Sequence, residues 1–303
     1  MESRKATDWR LRTRTLSLGQ RTRVMGVVNI TPDSFSDGGL YFAPEAAVEH
    51  ALTLLDEGAD LLDLGAESTR PGSRAGGDAA AVSTDEEQAR LLPVIEGILK
   101  ARSDAVISVD TYKAATAQAA VKAGAEIVND VSGFSWDDGM AAVCSEMRAG
   151  IVLMHTRGTP GEWKAQPQLA PDALVEMVRS GLANSFKLAT AAGIAPEAVV
   201  LDPGYGFGKR FGENYDLLAR QSELLGLGRP LMAGVSRKSF LGQGLAKRHD
   251  AEPGIQMPDL ARESASLAAM TAAILNGASI VRVHAVRAAV DAAQVADSIL
   301  NSS

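Results

Sequence analysis

Short aliphatic runs alternate with longer helical patterns along this chain, and that alternation constrains the fold more than any single motif. The runs are Val24–Val28, Leu61–Leu64, Val106–Val109, Glu126–Val128, Ile151–Met154, Val199–Leu201, Pro230–Ala233 and Ile280–Val283. Nearly all are continuous apolar stretches rather than alternating ones, the pattern of parallel strands buried on both faces. The helical segments between them carry start and stop residues. Pro44 sits at a first turn, Gly58 follows a last one, Gly124 closes the segment Lys113 to Ala123, and Gly193 and Gly277 close two long helices. Gly58-Ala59-Asp60, Gly124-Ala125-Glu126 and Gly277-Ala278-Ser279 repeat one helix-stop-to-strand phrase. Eight such units with no linker dividing them predict an α/β fold closed as a (β/α)8 TIM barrel, in preference to an open doubly wound sheet.

The 303 residues suit one barrel domain with a large core. Residues 1–23 are rich in arginine and lack the apolar region of a secretory signal, so they are read as a short lead-in, a hairpin ending at Gly19-Gln20. Apolar residues make up 46% and charged residues 22%, a globular balance, and no stretch reaches the roughly 18 consecutive apolar residues of a membrane span. A net charge of −7 gives no general attraction to nucleic acid, so an anionic ligand would need local cations. The single cysteine, Cys144, has no disulfide partner within the chain and reads as a small buried hydrophobe, in keeping with a cytoplasmic protein.

Polar residues collect immediately after the strands. In chain order they are Asn29; Glu67, Thr69 and Arg70; Asp110; Asn129 and Asp130; His155; Asp202; Ser236, Arg237 and Lys238; and Arg282 with His284. On a closed barrel these positions converge at the C-terminal rim, where the two longest irregular stretches, Asn29–Phe42 and Glu67–Thr84, also fall as candidate mobile loops. Asp110, Asn129 and Asp202 offer acceptors and an amide to a planar heterocycle bearing an amino group and ring N–H donors. Taken singly they have plainer roles: Asp110 and Asn129 as caps of the following helices, Asp202 as a brace for the turn at Pro203-Gly204. Arg70, Lys238, Arg282 and His284 bring cations or donors to the same rim and suit a phosphate-bearing ligand. Asn29 offers one uncharged oxygen to a Mg²⁺ ion held mainly by phosphate oxygens, although a turn role is commoner for a lone Asn.

Other signals fail on spacing. Gly204–Lys209 looks like a phosphate-binding loop but is too short, and Arg210 stands where Ser or Thr should follow. The strand-end histidines His155 and His284 have no cysteine neighbours, and Glu67 is not spaced with them for zinc. No G-x-S-x-G elbow occurs.

Seven ordered segments carry a resemblance: MGVVNITPDSFSDGG (Met25–Gly39), GADLLDLGAESTRPGS (Gly58–Ser73), ISVDTYK (Ile107–Lys113), IVNDVSG (Ile127–Gly133), LDPGYGFGK (Leu201–Lys209), GVSRKSFLG (Gly234–Gly242) and VRVHAV (Val281–Val286). Together they resemble the dihydropteroate synthases of the pterin-binding family, from about Val24 to Val286. The resemblance implies joining of p-aminobenzoate to a dihydropterin methylene group with loss of pyrophosphate, in a cytoplasmic homodimer of folate biosynthesis. By the same resemblance Asp110, Asn129, Asp202 and Lys238 hold the pterin ring. Asn29, Arg282 and His284, with Mg²⁺, hold the pyrophosphate. Thr69, Arg70, Pro71, Phe207 and Ser239 form the p-aminobenzoate pocket, and Lys238, Arg70 and Asp110 are the residues expected to carry catalysis. The least typical segment is His155–Pro167, where Thr156 replaces a frequent Met and Trp163 follows.

Two other readings compete. A methyltetrahydrofolate-dependent methyltransferase feeding a corrinoid protein would keep the pterin-binding acids, but would not need the Thr69-Arg70-Pro71 loop and the Ser236-Arg237-Lys238 run. A degenerate paralogue would bind without turnover, yet both long stretches keep their polar residues.

Overall fold

The computed structural model describes residues 4–30, 44–69, 73, 75–76, 81–248 and 259–302. Strands β1 (Thr7–Arg10) and β2 (Thr15–Leu18) form an antiparallel hairpin. The eight anticipated runs are β3 (Arg23–Asn29), β4 (Leu61–Gly65), β5 (Ile107–Asp110), β6 (Ile127–Asp130), β7 (Gly150–Met154), β8 (Val199–Asp202), β9 (Leu231–Ala233) and β10 (Ala278–Val283). They pair in parallel, and β10 closes on β3 to complete the barrel. Several strands run one or two residues further than their apolar runs, to Asp110, Asp130 and Asp202. A polar side chain does not interrupt the main-chain ladder, so hydrophobicity alone places the ends short.

Among the described residues the helices are α1 (Pro44–Asp56), α2 (Thr84–Ala101), α3 (Ala114–Ala123), α4 (Met140–Met147), α5 (Pro171–Ala191), α6 (Phe211–Ala219), α7 (Ser239–Arg248), α8 (Asp259–Leu275) and α9 (Val286–Asn301). Every barrel strand is followed by at least one of them. Gly124 ends α3 in the left-handed region at φ 118°, where its N–H reaches the carbonyls of Ala120 and Val121. Cys144 is buried on α4, and burial pushes its thiol above the ordinary range. No helix in the described residues is long and apolar enough to cross a membrane.

The two-residue period of a strand sorts each strand into two faces. Val24, Val28, Leu62, Leu64, Ile107, Val109, Val128, Ile151, Leu153, Val199, Leu201, Val281 and Val283 join the large core shared with the helices. Their alternates Met25, Leu61, Ile127, Val152, Val200, Met232 and Ile280 form a separate cluster at the strands' N-terminal half, inside the barrel. The hairpin supplies Trp9, Leu11 and Leu18 to that same cluster. Trp9 is fully buried, and its Nε1 donates to the carbonyl of Ala198 at 2.9 Å. The hairpin therefore stoppers the lower end of the barrel. Two residues further along the inward face, the side chains turn polar: Asp63 on β4, Asn129 on β6, Asp202 on β8 and Arg282 on β10.

Candidate active site

The lowest polar layer is organised by a residue that the strand-end pattern does not single out. Asp63 lies in the middle of β4, fully buried, and its Oδ2 accepts hydrogen bonds from Arg282 Nε at 2.6 Å and Asn129 Nδ2 at 3.0 Å. Arg282 also donates through Nη2 to Asp110 Oδ2 at 2.8 Å. One guanidinium thus bridges two carboxylates from neighbouring strands. Its positive charge is opposed within the barrel, and the two acids hold it well above its ordinary range although burial acts the other way. Burial pushes the Asp110 carboxyl up to about 7, with Arg282 and Lys238 opposing and Asp63 reinforcing the rise. Gly65 lies beside Asp110: a Cβ at residue 65 would stand 3.4 Å from the Cβ of Asp110, an ordinary packing contact.

Asp202 ends β8 and is nearly inaccessible. Its Oδ1 accepts from the Gly204 N–H at 2.7 Å, so the turn-bracing role read from sequence is real. Burial raises its carboxyl, and Gly204, Lys238, Lys209 and Arg282 act against the rise. A Cβ at Gly234 would lie 3.8 Å from Asp202 Oδ2 and 3.9 Å from Arg282 Cβ, which places Asp202 and Arg282 beside one point on the inner wall. The cap roles read for Asp110 and Asn129 do not occur. Helix α3 begins at Ala114, whose N–H goes to Asp137 Oδ2 at 2.8 Å, and α4 begins only at Met140. Asp130 binds the N–H groups of Ser132 and Phe134 at 2.8 Å each and shapes the turn after β6, and burial raises its carboxyl to about 6.

The loop between β8 and α6 carries Phe207. Gly204, Gly206 and Gly208 all have positive φ, and a Cβ at Gly204 would come within 2.0 Å of the His155 carbonyl oxygen, so the loop needs glycine there. Lys209, read in the sequence only as part of a failed phosphate loop, pins this turn from within. Its buried ammonium donates to the carbonyls of His155 at 3.0 Å, Gly204 at 2.7 Å and Phe207 at 3.3 Å, and burial lowers it to about 7. Asn214 accepts from the Gly206 N–H at 2.7 Å and donates back to the Arg210 carbonyl at 2.8 Å.

Lys238 approaches the loop from the end of β9. Its Nζ stands 4.0 Å from the centroid of the Phe207 ring, a cation–π distance, and a Cβ at Gly206 would meet its Cδ at 3.4 Å. Its charge acts on both Asp110 and Asp202. Arg237, before it, takes φ 56° and gives its N–H to Ser266 Oγ at 2.9 Å, which fixes the turn. Ser239 opens α7 directly after it. On the neighbouring strand end, His284 Nδ1 and Ser236 Oγ are 3.0 Å apart.

The structure brings Asp110, Asn129, Asp202, Phe207, Lys238 and Arg282 to one mouth. Asn29 ends β3 beside Gly65, and Thr69 lies half-buried at the start of the stretch after β4. Arg70 and Pro71 lie outside the described residues, as do residues 31–43 of the first long stretch. Glu67 is tied by a 2.6 Å ion pair to Lys113, which also reaches Glu87 at 2.9 Å. That network fixes the Glu67 side chain after β4. Among the described residues, no group of three or more His, Cys, Asp or Glu side chains could by itself hold a metal ion.

A parallel eight-stranded barrel with carboxylates, an amide and cations around one C-terminal mouth defines a barrel enzyme for a small polar ligand. Residues 25–284 match the family model described as pterin binding enzyme. Dihydropteroate synthase of Bacillus subtilis is 41% identical over 94% of this chain and 91% of its own length, and that of Mycobacterium leprae 42% identical over 92% and 94%. The solved structure of Xanthomonas albilineans dihydropteroate synthase with 4-aminobenzoic acid superposes with a TM-score of 0.84 at 40% identity, covering 97% of this chain and 98% of that one. The same enzyme in complex with 7,8-dihydropteroate gives 0.80 at 38% identity, over 96% and 98%. The chain belongs to the pterin-binding enzyme family, and within it to the dihydropteroate synthases.

Proposed function

We propose that this transferase condenses 6-hydroxymethyl-7,8-dihydropterin pyrophosphate with p-aminobenzoate, releasing 7,8-dihydropteroate and pyrophosphate. The observation that carries the reading is the pairing, at one mouth, of a deep carboxylate and amide set with Lys238 lying over Phe207. The carboxylates of Asp110 and Asp202 face the amino and ring N–H donors of the pterin. Asn129 gives its N–H to Asp63 and so turns its carbonyl oxygen to the ring. Arg282 commits Nε and one terminal nitrogen to carboxylates, which leaves Nη1 to meet the diphosphate beside His284.

The bond from the pterin methylene to the diphosphate oxygen breaks with its electron pair leaving on pyrophosphate. The arylamine nitrogen then forms the new C–N bond and gives up a proton. The chain's part is preorganised charge: Lys238, Arg282 and Arg70 favour the leaving anion, while buried carboxylates favour the electron-poor pterin. No protein nucleophile is needed. Thr69, Pro71, Phe207 and Ser239 shape the p-aminobenzoate side. Asn29 fits Mg²⁺ as a single neutral oxygen for an ion carried mainly by phosphate. When bound, Mg²⁺ supplies positive charge to the diphosphate. We also propose a cytoplasmic homodimer, which analytical ultracentrifugation of the full chain tests.

The deciding assay follows dihydropteroate and pyrophosphate together from both substrates with Mg²⁺. Equal release of the two is expected. Lys238→Ala should lose about 2.7–4 kcal/mol of transition-state stabilisation, the scale of one removed charge-stabilising donor. Methyl transfer to cobalamin without condensation would overturn the reading, and near-normal turnover of Lys238→Ala would reject the role of that lysine.

A further inference from the structure

We infer that Trp163 is a positioning residue for the second substrate: by bracing Phe207 from behind, it sets the width of the arylamine end of the pocket. The inference rests on the placement of Phe207 on the p-aminobenzoate side.

Trp163 lies on a short turn of 3-10 helix (Trp163–Ala165) between β7 and α5. It is only 6% exposed, and its indole N–H donates to the Gly158 carbonyl at 3.0 Å. The turn beneath it is held by Glu162, whose Oε2 accepts from the Thr159 N–H at 2.7 Å and hydroxyl at 3.0 Å. Arg210 Nε donates to the Gln166 carbonyl at 2.8 Å, tying this segment to the loop that bears Phe207. The indole is therefore a fixed surface.

The Trp163 and Phe207 rings meet edge to face, with centroids 5.0 Å apart and planes at 77°. Lys238 Nζ covers the Phe207 ring at 4.0 Å. The backbone of Phe207 is fixed by its N–H to Gly204 and its carbonyl from Lys209, but neither bond fixes the ring. Lys238 and Trp163 do. A Cβ at Gly208 would stand 3.0 Å from Trp163 Cδ1, so the indole also fills the space up to the loop backbone. Without it Phe207 can swing back, the pocket widens, and the flat p-aminobenzoate ring loses a wall. The indole touches neither the pterin acids nor the reacting atoms, so binding of the second substrate should suffer more than the chemistry.

The test compares the full chain with Trp163→Ala and Trp163→Phe by steady-state kinetics in both substrates. For Trp163→Ala the KM for p-aminobenzoate should rise roughly 2- to 10-fold, the scale of one aromatic edge contact. Its kcat and its KM for the pterin substrate should stay within about twofold, and a ring-methylated p-aminobenzoate should be discriminated against less. Trp163→Phe keeps an aromatic edge and should restore the p-aminobenzoate KM. If Trp163→Ala is recovered unfolded, Trp163→Leu carries the same comparison. An unchanged p-aminobenzoate KM, or both KM values rising together, overturns the inference. Failure of the parent protein to condense the substrates would instead overturn the proposed function.

Discussion

Replacing Asp63 by asparagine tests the floor of the pocket. The substitution keeps the side-chain volume and an acceptor for Asn129 but removes the charge that faces Arg282 Nε at 2.6 Å. Removing one partner of a buried ion pair costs about 3–5 kcal/mol, because the other charge is left uncompensated. Here Arg282 keeps Asp110 at 2.8 Å and its side chain is 20% exposed, so roughly half of that penalty, about 2 kcal/mol, should appear. For a barrel of this size the loss corresponds to a fall in Tm of about 4–8 °C at most. Calorimetry and urea denaturation read it directly. A cycle with Arg282→Met adds a sharper test: in the Asp63→Asn background the second substitution should cost less than in the parent. Stability of Asp63→Asn within about 0.5 kcal/mol of the parent, or strict additivity in the cycle, would refute the bridge as the organising contact.

Two more outcomes follow from the same geometry. Burial raises the folded Asp110 carboxyl above its value in an unfolded chain, about 3.9; its contribution to stability is therefore complete below that lower value and is lost as pH rises through the raised folded value. Pterin affinity should run the opposite way, strengthening as the carboxylate forms; Asp110→Asn should flatten both profiles in calorimetric titrations and melts, and a persistent slope would assign them to another group. Trp9→Ala should cost about 3–5 kcal/mol by opening a cavity at the barrel's lower end and orphaning the Ala198 carbonyl. Its kcat below the melting range should match the parent, whereas an unchanged Tm would mean that the hairpin is not a stopper.

Much of the barrel was legible because each strand is a compact aliphatic run and each helix stop a glycine such as Gly58, Gly124 or Gly277. The strand-end acids were legible for the same reason, since they break those runs at their C-terminal limits. Asp63 was not, because it sits inside Leu61–Gly65 among apolar neighbours rather than after them. A lone acid in an otherwise apolar strand is itself a signal, for a buried charge needs a partner. Its partner was beyond the reach of the sequence: Asp63 and Arg282 are more than two hundred positions apart and meet only through barrel closure. The same closure explains Arg282, which reads in the sequence as a cation for phosphate alone, whereas Asp63 and Asp110 take its Nε and Nη2. Lys209 shows the converse. Its motif fails as a phosphate loop in the sequence, and the structure gives the ammonium another task, holding main-chain carbonyls.

The plugged lower end of the barrel has a consequence for traffic. Trp9, Leu11 and Leu18 pack beneath the apolar floor, so the lower end of the barrel is closed, and the first polar groups above that floor include Asp63, Ser108 and Asn129. A bicycle seated at that depth arrives and departs past Phe207 and Lys238. With the lower end closed, the C-terminal mouth is the route by which a ligand reaches those groups.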